Sequence, residues 1–370
     1  MKITVQQRDL LKKLQGISSV VPTKTSLPIL STFLLESKGD GKIKLTANDL
    51  DVSLTNTLEC ETDGGGSVAV PGKKFFEIVR SLPDDKVVID ADGERITVKC
   101  RKSRFKMVGK NPEEFPKLPS QKSIASFNMT TVTLDDMINK TAYAVSNDLT
   151  RPSLCGVLWE AKKGMLGMIA TDGHRLAKVE LPEAAQGVDD NEFIVSPKAL
   201  NIVRSLSDGV DDVNVSLAEN HITFDLGDSV VYSRLLEGPF PDYNQVIPKK
   251  NEKTLTVSRE ELTDACKRVS ILSSVITHQI RIAVEDDRLT LSVNTPDVGE
   301  AVEEVTCAYD GDKMEIGYNA RYLLDILRTM NSDDVSFKLD RNDNAGVLVP
   351  ATEDDELKHQ CLLMPLRLSD

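Results

Sequence analysis

The stretch IVRSL stands at positions 78–82 and again at 202–206, and a near copy, ILRTM, stands at 326–330, each 124 positions after the one before. A chain that rebuilds one element at a fixed period is made of similar structural units, and this limits its architecture more than any composition value does. Other matches follow at nearly the same spacing, with offsets of 123–127. The segments opening at Ile3 (ITVQQRDLLKKLQG), Thr130 (TTVTLDDMINKTAY) and Leu255 (LTVSREELTDACKR) align Val5 with Val132 and Val257, and Leu10 with Met137 and Leu262. Pro28, Leu30 and Leu34 correspond to Pro152, Leu154 and Leu158. The endings EEFPKLP, GPFPDYNQVIP and LLMPLRL align more loosely. Three units are expected, at 1–124, 125–250 and 251–370, joined by the Pro/Lys-rich stretches KLPSQKS and IPKKNEK. A length of 370 residues suits two or three cores better than one.

Each unit has the same internal grammar. A short strand (KITV, NMTTV, TLTV) leads into an amphipathic helix, alternating strands such as GKIKLTA and ERITVKC follow, and a second helix interrupts them. The expected class is therefore α+β, with antiparallel sheets and two helices per unit. A pseudo-threefold arrangement and a stacked solenoid are both compatible with such repetition. In the second helix, helical periodicity puts Phe75, Phe76, Ile78, Val79 and Leu82 on one side and Lys73, Lys74, Glu77, Arg80 and Ser81 on the other. The copies place Lys198, Asn201, Arg204 and Ser205, and then Arg321, Asp325, Arg328 and Thr329, on the polar side. In the first helix Leu10, Leu11, Leu14 and Ile17 face inward, with Arg8, Lys12 and Lys13 outward.

Charge gives these faces a meaning. The formal net charge is −13, which taken as an average opposes a nucleic-acid partner. The six helical segments nevertheless carry +6, leaving −19 on everything else. Lysine and arginine without interleaved aromatic residues suit contact with phosphate and not base stacking. Few side chains stand at spacings that would read base edges. A solvated charged face remains the plain alternative for any one helix.

Chemistry is harder to find. ATDGHRLAKV (170–179) offers Asp172 and His174 as an acid–base pair, but no G-x-S-x-G, HExxH or second histidine accompanies it. Asp-Gly between two apolar runs is also a hairpin signal, and a binding surface is a third reading. Gly64-Gly65-Gly66 lacks the lysine of a phosphate loop, and the turn at Asn48, Asp49 and Asp51 lacks the glycine and glutamate of a calcium loop. His221, His278 and His359 are isolated, and the single Trp159 reads as core. Six scattered cysteines without ligand spacing read as reduced thiols. No cofactor or metal is expected. No apolar run approaches the ~20 residues of a membrane span, and the charged N-terminus does not read as a signal peptide, so a cytoplasmic location is expected.

Two charged runs differ in sign. RKSRFKMVGK (101–110) is basic with Phe105 and Met107 interleaved, whereas EAVEEV (300–305) is acidic, and Ile271 and Leu272 lie at a helix end. Such segments could pair head to tail between two copies, or could be ordinary solvated strands. The apolar ending LLMPLRL should complete a strand or line a groove.

On ATDGHRLA, GPFPDY and MPLRL, carried by three tandem units over the full length, the chain resembles the bacterial β sliding clamps. The resemblance implies the DNA clamp fold, a head-to-tail homodimeric ring with helices lining the hole and strands outside, and a non-catalytic processivity role on double-stranded DNA. It implies that Lys24, Lys73, Arg80, Lys198, Arg204, Arg321 and Arg328 face DNA. It implies a junction of Phe105, Met107, Ile271 and Leu272, with Lys102 and Arg104 opposite Glu300, Glu303 and Glu304. A peptide groove would use Leu154, Thr171, Gly173, His174, Arg175, Leu176, Pro241, Val246, Val347, Leu362, Met364, Pro365, Leu366 and Arg367. The implied partners are the replicative polymerase, an ATP-driven clamp loader, and repair proteins carrying apolar-aromatic peptides. Gln245 departs from the family pattern, which has an arginine there. A hydrolase built on Asp172 and His174 and an acidic scaffold without DNA are the rival readings.

Overall fold

The computed structural model describes residues 1–119, 122–185, 189–296, 298–352 and 356–368. Among these, every strand pair is antiparallel and six α-helices interrupt the strands: α1 (Gln7–Ser18), α2 (Gly72–Ser81), α3 (Thr131–Thr141), α4 (Pro197–Leu206), α5 (Arg259–Ser270) and α6 (Ala320–Thr329). The chain divides into two compact units, one of residues 1–134 with 198–235 and the other of 135–197 with 236–370.

The first unit holds two sheets. The five-stranded sheet runs in the order Glu61–Asp63, Lys2–Gln6, Lys86–Asp92, Arg95–Cys100 and Ser103–Val108, which leaves the last as an edge. The eight-stranded sheet joins sequence-distant strands where Val52–Glu59 pairs with Ser229–Arg234. Helix α1 buries Leu10, Leu14 and Ile17 and packs on α2, which buries Phe75 and Val79. Gln7, the first residue of α1, donates its Nε2 to the Val79 carbonyl at 2.7 Å, so the two helices share a buried polar tie as well as apolar area.

The second unit is organised by one twelve-stranded sheet. Its fourth and fifth strands are Arg175–Leu181 and Lys358–Leu363, which pair with each other, and the latter also pairs with Gly346–Pro350. The apolar chain end therefore completes a strand in the middle of a sheet. Ser258 caps α5 by accepting from the Glu261 amide at 3.4 Å, the S-x-x-E arrangement that satisfies an otherwise orphaned donor. Asn319 caps α6 by accepting from the amides of Arg321 (2.9 Å) and Tyr322 (3.3 Å).

The helix faces follow the expected periodicity except at several positions, among them Leu11, Glu77, Arg204 and Asp325, which are half-buried. Thr329 is buried, not polar-facing, because its hydroxyl returns to the Ile326 carbonyl at 2.8 Å and needs no water. Lys13 is half-buried beside Asp228 at 3.6 Å. Phe76 and Ile78 stay half-exposed, which narrows the apolar stripe of α2 to Phe75 and Val79, with Leu82 just beyond. Trp159 is fully buried and stacks on Phe193 at 5.8 Å. All six cysteines are free thiols. No described helix is long and apolar enough to cross a membrane.

Candidate functional site

The hairpin Met165–Thr171/Arg175–Leu181 turns through Asp172, Gly173 and His174. Gly173 sits at φ +92°, a conformation that penalises a side chain. Asp172 accepts at Oδ1 from the amides of His174 (2.9 Å) and Arg175 (3.0 Å), and Thr171 donates to the Arg175 carbonyl at 2.6 Å. Both Asp172 oxygens are engaged, since Oδ2 takes Arg175 Nε at 3.2 Å. The His174 ring stacks near Tyr322, with centroids 6.3 Å apart. This is the bonding of a fixed turn, in which Asp172 holds the backbone and the Arg175 side chain.

Arg175 is the anchor of the region. Its side chain is only 9% exposed and lies between two rings, 5.1 Å from Tyr143 and 4.4 Å from Tyr322. Nη1 meets Asp325 Oδ2 on α6 at 2.6 Å and Nη2 donates to the Tyr143 carbonyl at 2.8 Å. A guanidinium can fill all these positions because it is flat and presents donors in a rigid fork. The structure therefore places Arg175 beneath the surface, as a support for the turn.

Beside the turn lies an apolar floor. Leu176 and Leu362 cluster with Leu158, Ile169, Ile194, Tyr243 and Ala345, and Leu236, Phe240 and Ile247 pack against them. Tyr243 donates its hydroxyl to Glu160 at 2.9 Å, and burial followed by that carboxylate pushes its pKa up. Val347 is buried opposite Leu362 in the ladder, and Leu154 is buried with its carbonyl accepting from the Ser146 amide. The chain end crosses the turn where the Met364 amide donates to the His174 carbonyl at 2.9 Å. The Leu366 amide donates to the Gly317 carbonyl at 2.8 Å, and the Arg367 carbonyl accepts from Gln279 at 3.0 Å. Val246 is 54% exposed and Met364 39%, and both stay in reach of a ligand, as do Pro241, His174 and Arg367, with Pro365 half-exposed. An open cleft of about 510 Å³ runs along Asp242, Gln245, Ile247 and Lys249. Gln245 donates to Asp242 at 3.0 Å, and that bond, with the Asn244 amide, holds the Asp242 carboxyl low. Leu158, Ile169, Ile194, Tyr243 and Tyr322 are floor or support residues that the sequence reading did not place here. For Leu158, Ile169 and Ile194 the signal is strand alternation, which looks the same for core and groove, whereas Tyr243 closes the GPFPDY motif and Tyr322 lies on α6.

The charged runs lie on strand edges. Phe105 and Met107 are half-buried on the edge strand Ser103–Val108, while Val108, Lys102 and Arg104 are exposed. In the second unit, the strand Gly299–Tyr309 pairs on one flank over Gly299–Thr306, and on the other only through Cys307, Ala308 and Tyr309. Its first half is thus a second edge among the described residues. Exposed Val302 lies on it and exposed Val298 just before it, while exposed Ile271, Val275 and Ile276, with half-buried Leu272, follow the end of α5. Glu300 is exposed, but Glu303 is held by Arg268 through bonds of 2.5 and 2.7 Å, and Glu304 lies 3.6 Å from Arg288. The acidic run is therefore partly matched within its own unit.

Of the seven basic candidates, Lys24, Lys73, Arg80, Lys198, Arg321 and Arg328 are exposed and Arg204 is half-buried. Arg80 rests over Phe76 at 5.5 Å, Arg328 lies 3.7 Å from Asp325, and Lys198 forms an ion pair with Asp49.

Comparison with known proteins extends this architecture. The N-terminal, central and C-terminal domains of the DNA polymerase III beta subunit family match residues 1–119, 128–242 and 244–367. The beta sliding clamp of Pseudomonas putida is 33% identical over 371 residues, covering both chains completely, and that of Escherichia coli K12 is 33% identical over 342 residues, covering 92% of this chain and 93% of its own. The crystal structure of the DNA polymerase III subunit beta from Pseudomonas aeruginosa superposes with a TM-score of 0.94 at 33% identity, over the whole of both chains. The fold is thus the DNA clamp fold, in three tandem domains. The chain belongs to the DNA polymerase III beta subunit family, the bacterial β sliding clamps, and its function is that of a sliding clamp in DNA replication.

Proposed function

We propose that two copies of this chain close head to tail into a ring around duplex DNA and hold the replicative polymerase on it. The domains would be 1–124, 125–250 and 251–370. The observation that carries this reading is the pair of incomplete sheet edges of opposite charge, Ser103–Val108 with Lys102 and Arg104, and Gly299–Thr306 with Glu300. An unpaired edge is a liability unless another strand covers it. Joining the two satisfies both edges' backbone groups, buries Phe105, Met107, Ile271 and Leu272, and does so twice in a closed dimer.

The basic helix faces would then point at phosphates. Closure retains the DNA, so the contacts themselves can be weak and screened by salt. The groove floored by Leu176 and Leu362 would receive short apolar-aromatic peptides of the polymerase, the ATP-driven loader and repair proteins, in the cytoplasm. The role is non-catalytic. The bonding of Asp172 to the turn and to Arg175 supports that reading over a hydrolase.

The test is retention. Loaded onto a nicked circular DNA, the protein should remain through a gel-filtration column and be released when the circle is linearised. Equal loss from the circular and linear forms overturns the ring.

A further inference from the structure

Lys198, in the first turn of α4, is ion-paired with Asp49, and the two differ in freedom. Asp49 lies in the turn between the strands Lys42–Asn48 and Val52–Glu59 and is only 11% exposed, against 43% for Lys198. Its Oδ1 accepts from the amides of Asp51 (3.1 Å) and Val52 (2.7 Å), and its own amide donates to the Val52 carbonyl at 3.1 Å. Leu50, held at φ +81°, is locked by its amide donating to Asn48 Oδ1 at 2.6 Å. The Asp51 carbonyl accepts from the Arg234 amide at 2.8 Å. The carboxylate is therefore fixed in its loop, while the lysine has a flexible four-carbon stem.

The geometry points to Asp49 as a built-in competitor for phosphate at Lys198. A phosphate can take the ammonium only by drawing it off a carboxylate already in place. This lowers the net gain from that contact and loosens the hold on DNA at this helix. Asp51, exposed in the same loop, has no such contact with the lysine and adds only a diffuse repulsion. The inference rests on the DNA-encircling reading and assigns a residue that tunes it, which suits a protein that must move along duplex without gripping it.

The experiment compares wild type with Asp49→Asn, Asp51→Asn, Lys198→Ala, Arg80→Ala and the Asp49→Asn/Lys198→Ala double variant, measuring affinity for a short fluorescent duplex at several salt concentrations. Asparagine keeps the Oδ1 acceptor that orders the turn, so the loop should persist, and an unchanged melting midpoint checks this. Asp49→Asn should tighten binding about two- to fivefold and steepen the salt slope by about 0.9, the equivalent of one recovered phosphate contact. It should have no effect in the Lys198→Ala background. No gain, an equal gain in both backgrounds, or the same gain from Asp51→Asn overturns the competitor role. If Lys198→Ala and Arg80→Ala both leave affinity at the wild-type value, the DNA-facing assignment itself falls, and the competitor role with it.

Discussion

Arg175 shows how one buried side chain can hold a surface turn from beneath. It ties the turn at Asp172 to α6 through Asp325, and two tyrosine rings cover its faces. Removing it takes from the mostly buried Asp172 its side-chain cation and uncovers both tyrosine rings, so Arg175→Ala should cost about 3 kcal/mol, read from urea unfolding. Arg175→Lys should recover little of that loss, because an ammonium cannot reproduce the fork or the stacking. A lysine variant as stable as wild type would show that charge alone matters there. His359 makes a second prediction at this scale. Burial first, and then the Lys140 ammonium, drive its pKa down to about 3. The folded state thus holds it neutral while the unfolded chain takes up a proton below its ordinary value of about 6.5. Stability from this residue is complete above that pH and is lost as pH falls from there towards 3, by about 2 kcal/mol between pH 7.5 and pH 5. Unfolding His359→Gln beside wild type at the two pH values isolates the effect. Equal pH dependence in the two proteins would rule it out.

At the scale of elements, the repeated helix divides its work between faces. Phe75 and Val79, with their counterparts Ala199 and Val203, and Leu323 and Leu327, fill each core, which leaves Arg80 and Arg328 in solvent. The strand edges divide theirs by charge. If Ser103–Val108 of one copy meets Gly299–Thr306 of another, Arg104→Glu should raise the dimer dissociation constant roughly tenfold, about 1.4 kcal/mol. Adding Glu300→Lys should restore it. Sedimentation over a concentration series provides the readout, and failure of the second change to rescue the first would separate these two residues. Glu300 is the better partner to swap, since Glu303 is already committed to Arg268.

For the whole molecule, acidity and DNA binding cease to conflict once charge is resolved by position. A net charge of −13 with positive helix faces suits a protein whose attraction to phosphate is local and weak. Retention on circular DNA should accordingly survive salt that abolishes binding to short linear duplex, because a closed ring need not rely on ionic contacts. Parallel loss on both substrates as salt rises would contradict this. The three tandem domains, their α+β class, much of the solvent side of the repeated second helix and the hairpin at Asp172-Gly173 were legible in the residues. Repeat spacing and hydrophobic period are local properties, carried by neighbours a few positions apart.

What tertiary structure alone decided are the pairings between distant positions. Val52–Glu59 joins Ser229–Arg234, and Arg175–Leu181 joins Lys358–Leu363, so the sheets run across the repeats where local pattern shows only separate strands. The same holds for charge. Asp49 takes Lys198, Arg268 takes Glu303, and Asp325 takes Arg175 at a separation of 150 positions, turning residues that look equally exposed in sequence into committed ones. An ion pair or a shared sheet edge depends on which surfaces meet after folding, and no local period records that. The sequence by itself thus determined what each unit is made of and where its charge could go. Only the folded chain decided which of those charges remain available to a partner.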